Sequence, residues 1–345
     1  MIVQVCPPGT GGVRDYADAL ARAWSVRDVA SQLIEGTPGR LRPALDALLP
    51  AGGNTPLHVV LHFSGYGYAP RGLCGWLADD LAAFKTVHAE RVRLVVVFHE
   101  LFATGAPWRS AFWLAPWQSQ VARRLARLAD GLWTNTGGHA RWLHEATGGA
   151  TPLRMRPVFS NVGEPVDPPV WAVREPRAIV FGSAETRARA FADLRAHAPA
   201  FARLGVREIV EVGSGDSQSA LGRAAGLSMR HLGRLPVTEL GSLLAGSRFG
   251  LLDYTACYLG KSGVFAAYAA HGCVAINTCV RDAEADDLRA GVHYINARAS
   301  FDADAEALAL MALRLHRWYG AHSLALQSHQ LLQAATAPTP APALA

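Results

Sequence analysis

The residues most able to do chemistry on an anionic ligand are Gly260, Lys261, Ser262 and Gly263, which stand directly before the apolar run VFAAYAAHG. A small-residue turn at a helix N-terminus offers unpaired backbone N–H groups to an anion, and here a lysine and a hydroxyl are added. A lysine at the positive end of a helix opposes the macrodipole, a local conflict that a bound phosphate would relieve. A second turn of this kind, Thr10-Gly11-Gly12-Val13, follows the first apolar run of the chain. For each turn the alternative is that the glycines only permit tight strand–helix packing. Neither is the phosphate loop of an ATPase. In PPGTGGV the loop lysine would fall at Gly12, and upstream of Gly260-Lys261-Ser262 the opening glycine is replaced by Thr255.

Two histidines close apolar runs. His99, followed by Glu100, ends RLVVVFH, and His62 sits near the end of LHVVLHF. An imidazole at the C-terminal end of a parallel strand lies where crevice ligands bind, and can donate a hydrogen bond or move a proton. The alternative is a capping or core histidine. Arg187 and Arg189 in FGSAETRARAF are candidate phosphate partners, or the solvated face of a helix. Glu211 and Asp216 flank a GSG turn and read as structural. Asp302 and Asp304 in DAD invite a metal, but an aspartate before a helix is more simply its cap. The pairs Asp79-Asp80 and Asp286-Asp287 read as surface charge. No metal site is expected.

These groups need elements to position them. Strands are predicted at Ile2–Val5, Leu57–Phe63, Arg93–His99 and Gly131–Asn135, separated by helical patterns, the longest over Trp113–Ala129. The stretch Arg156–Val170 is proline-rich and reads as a linker. The pattern then restarts with a strand at Ala178–Gly182, a strand and turn at Glu208–Ser217, a strand and loop at each of Met229–Pro236 and Phe249–Tyr254, a strand at Cys273–Thr278, a short one at His293–Ala297, and one or two helices over Ala303–Ala335. The alternation implies βαβ units and parallel sheets. The expected domains are residues 1–155 and 173–302, with a linker at 156–172, C-terminal helices at 303–335, and a disordered Ala/Pro-rich tail at 336–345.

Composition narrows the class. A chain of 345 residues, half of them hydrophobic, suits two α/β domains with large cores. The net charge of +5 and pI near 9.1 suit phosphate-bearing ligands or an anionic membrane surface, and are too small to argue for nucleic acid. Five cysteines without metal or redox spacing point to a reducing compartment. The start MIVQVCPPG has neither a basic region nor a long apolar run, so no signal peptide is expected, and no run is long enough to span a membrane. The segment PWRSAFWLAPWQSQVARRLARLA places Trp108, Phe112, Trp113 and Trp117 ahead of Arg123, Arg124 and Arg127. It reads either as a peripheral membrane contact or as a buried apolar face with a solvated basic one.

Four segments together resemble GT-B glycosyltransferases, specifically the GT4-type superfamily (glycosyl transferases group 1). They are GTGGVRDYADALA, VVVFHELFATG with ADGLWTNTGGHARWL, HLGRLPVTELGSLLAGSRFGLLDY, and SGVFAAYAAHGCVAI, and they span most of residues 9–278. The resemblance implies two Rossmann-like domains facing across a cleft, with C-terminal helices crossing back to the first. It implies a cytoplasmic enzyme of hexosyltransferase type that needs no metal and no cofactor beyond its co-substrate. The second domain would bind a nucleotide-diphosphate sugar through Lys261, Ser262, Gly263, Arg187, Gly233, Arg234 and Leu235. His99 would be catalytic, and Gly11, Gly12, His62 and Glu100 would line the acceptor side. The acceptor would be a glycan, a polysaccharide or a lipid-linked glycan. One departure stands out: the two glutamates that usually hold the donor correspond to Leu259 and Ala267, so the usual retaining stereochemistry is not implied. The other readings are a non-catalytic sugar-nucleotide-binding protein and a sugar-nucleotide epimerase of the same fold.

Overall fold

The structure, a computed structural model, describes residues 1–49, 55–192, 194–215, 226–279, 286–299 and 304–337. Asp216, Asp302 and the tail beyond Ala337 lie outside the described residues. The chain forms two compact units, Met1–Pro157 with Leu324–Ala345, and Val158–Ser323.

The first unit is a six-stranded parallel sheet in the order β2-β1-β3-β4-β5-β6. Its strands are β1 (Ile2–Cys6), β2 (Ser31–Glu35), β3 (Leu57–Phe63), β4 (Val92–Phe98), β5 (Gly131–Thr134) and β6 (Leu153–Met155). The helices of this half are α1 (Gly12–Ser25), α2 (Leu41–Asp46), α3 (Gly65–Tyr68), α4 (Gly75–Val87), α5 (Ser110–Leu128) and α6 (Gly137–Thr147). The central strands are continuous apolar runs because helices cover both faces of a parallel sheet. β1, β4 and β5 are buried at every residue. The two strands that the sequence reading missed, β2 and β6, are the edges, where burial is partial and no continuous apolar run is required.

The second unit holds β7 (Glu175–Phe181), β8 (Glu208–Val212), β9 (Ser228–His231), β10 (Ser247–Leu252), β11 (Val274–Asn277) and β12 (Tyr294–Asn296). Their order is β12-β11-β10-β7-β8-β9, again parallel throughout. Counted from β7 this is 3-2-1-4-5-6, the doubly wound order of nucleotide-binding sheets. Its helices among the described residues are α7 (Ala184–Phe191), α8 (Leu194–Arg203), α9 (Val237–Ala245), α10 (Gly263–Ala270) and α11 (Ala305–Gly320). Asp304 caps α11 by accepting from the Ala307 N–H at 2.8 Å, the structural role expected of it. Helix α10 is apolar all round and buried over six residues, from Phe265 to Ala270.

The expected C-terminal helical segment is two helices, and the second, α12 (Leu324–Thr336), belongs to the first unit. It is tied there by specific bonds. The Trp24 indole donates to Ser328 O at 2.8 Å, Tyr16 Oη to Gln327 Oε1 at 3.1 Å, and Gln327 Nε2 to Pro157 O at 2.7 Å.

Candidate functional site

Ligands of open parallel sheets bind beyond the carboxyl ends of the strands, at the point where strand order reverses. In the second unit that point lies between β7 and β10. There the chain leaves β7 through Gly182, which has a left-handed φ of 119°, and enters α7, whose cap Ser183 accepts from the Thr186 N–H at 3.2 Å. Beside it, β10 leads through Asp253 and Tyr254 into a 3-10 turn at Ala256–Lys261. Ser262 then caps α10 by accepting from the Phe265 N–H at 3.2 Å. A side chain at Gly182 would touch both Thr186 and Val264 at 3.5 Å, so the two helix N-termini converge on this glycine. Each end carries partial positive charge and unpaired N–H groups. Lys261 is half-buried at this point, its Nζ 5.0 Å from the centroid of the Tyr258 ring. Gly263 opens α10 with nothing but Asn161 Oδ1 within 4 Å of its missing side chain.

One expectation about donor-binding residues changes. Arg187, expected on the donor diphosphate, is 1% exposed. Its Nε donates to Glu211 Oε1 at 2.7 Å, Nη1 to Gly182 O at 2.7 Å, and Nη2 to Ser214 O and Gly215 O at 2.5 and 3.0 Å. The guanidinium therefore ties the loops after β7 and β8 together beneath the sheet edge, and Glu211 is structural as expected. The positions of the two usual glutamates are core: Leu259 is 1% and Ala267 0% exposed. A carboxylate at either would be stranded in apolar surroundings at a cost of several kcal/mol. Gly233, Arg234 and Leu235 follow the edge strand β9. Gly233 takes φ 65° and its carbonyl accepts from the Gly213 N–H at 2.8 Å, while Arg234 is exposed.

Sequence reasoning passed over Asp253. It is half-buried just past β10, where burial raises its carboxyl pKa and the charges of Arg189 and Arg298, with a hydrogen bond from Thr278, oppose the rise. The signal available was an acid closing the buried run FGLLDY. Asn277 was also missed. It spans the same edge, accepting from the Tyr254 N–H and donating to Tyr254 O at 3.0 and 2.7 Å.

In the first unit the order reverses between β1 and β3. The loop after β1 is open. Gly11 (φ 143°) and Gly12 are exposed, with nothing within 4 Å of where a side chain would stand. Next to it the histidines meet. His62 Nδ1 lies 3.2 Å from His99 Nε2, and His62 Nε2 lies 2.9 Å from Gln4 Oε1, while Gln4 Nε2 donates to Ala17 O. These contacts assign the protons. Gln4 presents its oxygen, so His62 carries hydrogen on Nε2 and accepts at Nδ1. His99 then donates to it from Nε2, which leaves Nδ1 as the other ring nitrogen. Tyr16 stands edge-on to the His99 ring at 4.9 Å.

His62, expected to line the acceptor side, is fully buried and stands behind His99 instead. Burial, with the nearby His99, holds its pKa well below 6.5, so it stays neutral. Glu100 is exposed and accepts from Ser64 Oγ at 3.2 Å. Gln4, Tyr16 and Gln327 were not anticipated. A glutamine in the middle of the buried strand IVQVC was the one legible sign, since a polar group there needs a partner.

This architecture, two parallel six-stranded sheets each covered by helices with the last helix returned to the first unit, is the fold of the GT-B glycosyltransferases. Among solved structures it is similar to a glycosyltransferase from Rickettsia africae (TM-score 0.59, 12% identity, 97% of each chain covered). It is similar as well to HepE from Anabaena in complex with UDP and glucose (TM-score 0.58, 13% identity, 96% of this chain and 99% of that one). A third is an E. coli trehalose-6-phosphate structure bound with UDP-2-fluoro glucose (TM-score 0.60, 12% identity, 97% and 98%). No protein-family profile matches the chain, and no curated protein sequence matches it.

Proposed function

We propose that the protein is a glycosyltransferase that moves a sugar from a nucleotide-diphosphate sugar to a glycan, polysaccharide or lipid-linked acceptor. The observation that carries this is the convergence of the α7 and α10 N-termini with Lys261 at the strand-order switch of the second unit. Helix N-termini at such a switch point, with a cation beside them, suit a diphosphate. The solved structures of this fold that contain UDP or a UDP-sugar analogue support the same reading.

In this account the donor diphosphate takes N–H bonds from the helix ends and the charge of Lys261. The same groups stabilise the negative charge that develops on the leaving diphosphate as the glycosidic bond breaks, and no metal ion is needed for that. Asp253 replaces the missing glutamates as acceptor of donor hydroxyl bonds, and Gly233, Arg234 and Leu235 border the base. The first unit binds the acceptor beside Gly11, Gly12 and Glu100. His99 Nδ1 takes or returns a proton at the reacting centre, with its ring orientation fixed by Gln4 and His62. The protein works in the cytoplasm, where nucleotide sugars are supplied.

The test is release of nucleoside diphosphate from a panel of donors, with and without acceptor, by the wild type and His99→Ala. Loss of a proton-transfer group lowers turnover by about 10²–10⁴-fold. The expected result is that loss with unchanged donor affinity; full turnover in the variant with its acceptor would remove His99 from the mechanism. The burial of Leu259 and Ala267 favours one rival, a sugar-nucleotide-binding protein without catalysis. That rival predicts donor binding with no release of diphosphate under any condition.

A further inference from the structure

The first two turns of α5 stand clear of the core. From Ser110 to Trp117 no residue is buried, and the first buried one is Gln118. This free end carries Trp113 and Trp117 one turn apart, 68% and 69% exposed, with Phe112 beside them and Trp108 just ahead at 84%. The later turns are ordinary, packing Val121, Ala122, Leu125 and Ala126 into the core. Gln118 extends the patch sideways. Its Nε2 donates to Tyr66 Oη at 3.2 Å and to Arg71 O at 2.6 Å, which brings exposed Tyr66, Arg71 and Leu73 alongside. Single exposed aromatics are common on soluble proteins, but a contiguous cluster marks a docking surface.

Charge identifies the occupant. From Leu101 to Ala129 there is no aspartate or glutamate, and there are four arginines. Arg124 is paired with Asp79 and Arg123 lies over Trp142, but Arg109 is exposed within the aromatic cluster and Arg71 at its side. Two copies of this face would oppose like charges, which disfavours self-association. A sugar-stacking platform pairs its aromatic rings with carboxylate or amide acceptors for the hydroxyls; the exposed turns of α5 carry no carboxylate, and the Gln118 amide beside them is engaged by the Ala103 N–H, Tyr66 Oη and Arg71 O. Tryptophan ringed by arginine is the composition that settles at the headgroup level of an anionic bilayer.

We propose that the N-terminal turns of α5, with Trp108, Trp113 and Trp117 inserted and Arg71 and Arg109 on headgroups, dock the protein on an anionic lipid surface. The inference does not depend on the sugar-transfer reading. The test is co-sedimentation of the full chain with phosphatidylcholine vesicles, and with vesicles containing about 30% phosphatidylglycerol, a common anionic lipid. The expected result is binding to the anionic vesicles that weakens with salt, with a blue shift of tryptophan emission. The triple variant Trp108→Ser, Trp113→Ser, Trp117→Ser loses binding. Arg71→Glu with Arg109→Glu weakens it by at least tenfold, since each arginine near such a surface contributes about fivefold. An unchanged melting temperature shows that the variants are folded.

Absence of binding to anionic vesicles would overturn the proposal, as would equal binding by the triple variant. Two further results would assign the patch elsewhere. One is a concentration-dependent dimer of the wild type, lost in the triple variant, and the other is an emission change with soluble oligosaccharide in place of vesicles.

Discussion

Replacing Arg187 separates a structural from a ligand-binding role for this residue. Its side chain and that of Glu211 are 2% and 1% exposed, and they meet at 2.7 Å. Arg187→Ala leaves the Glu211 carboxylate buried without its cation and frees the carbonyls of Gly182, Ser214 and Gly215 from their donor. Breaking one half of a buried pair costs about 3–5 kcal/mol. For a unit of this size each kcal/mol lowers the melting temperature by about 2–4 °C, so the transition of the second unit should fall by roughly 6–20 °C. The double variant Arg187→Met, Glu211→Leu removes both charges and should recover most of that loss, because an apolar pair of similar volume is often as stable as the ion pair. Scanning calorimetry of wild type, single and double variants reads all three values. A single variant that loses less than about 1 kcal/mol, the level of an exposed pair, would refute the argument.

Two further predictions concern packing and pH. A methyl group added at Gly250 would lie 2.4–2.5 Å from the Tyr268 ring, which is held by hydrogen bonds to Ile179 O and Leu251 O. Gly250→Ala should therefore cost about 1–3 kcal/mol in urea unfolding, and a neutral result would mean the ring is free to move. His62 stays neutral when folded because burial lowers its pKa well below 6.5. The unfolded imidazole takes a proton as pH falls below about 6.5 and the folded one does not, so acid favours unfolding. Wild-type stability should drop below that pH by up to about 1.4 kcal/mol per pH unit more steeply than that of His62→Gln. Parallel pH profiles of the two proteins would show that His62 is protonated in the folded state.

The central strands, the helices between them and the restart of the pattern after residue 170 were readable because a doubly covered parallel strand must be a continuous apolar run. The edge strands β2 and β6 were not, since an edge needs no such run. Lys261, Ser262 and the glycines around them were legible as a helix opening, and α10 begins at Gly263 as the sequence implies. The 3-10 turn before it carries no distinguishing pattern. Arg187 and His62 illustrate the limit of local reading. An arginine on a helix and a histidine on a strand look alike whether they face a ligand or a partner distant in sequence, and here the partners are Glu211 and the pair Gln4 and His99. The aromatic segment posed the same ambiguity. Its periodicity fits a buried face, and only the folded chain shows that the second half of α5 is buried while the tryptophans are not.

If the protein is a sugar transferase of the kind proposed, its second unit holds a nucleoside diphosphate at the N-termini of α7 and α10. Calorimetric titration of a nucleoside diphosphate panel, beginning with UDP, into wild type and Lys261→Ala measures this directly. One saturable site is expected in the wild type. In the variant, loss of a charged hydrogen bond weakens it by about 1.5–3 kcal/mol, roughly ten- to over a hundredfold in dissociation constant. The melting temperature of the unliganded variant should stay unchanged, because Lys261 lies on the loop rather than in the core. If no nucleoside diphosphate binds the wild type, or if Lys261→Ala binds as tightly, the donor site is not where this account puts it.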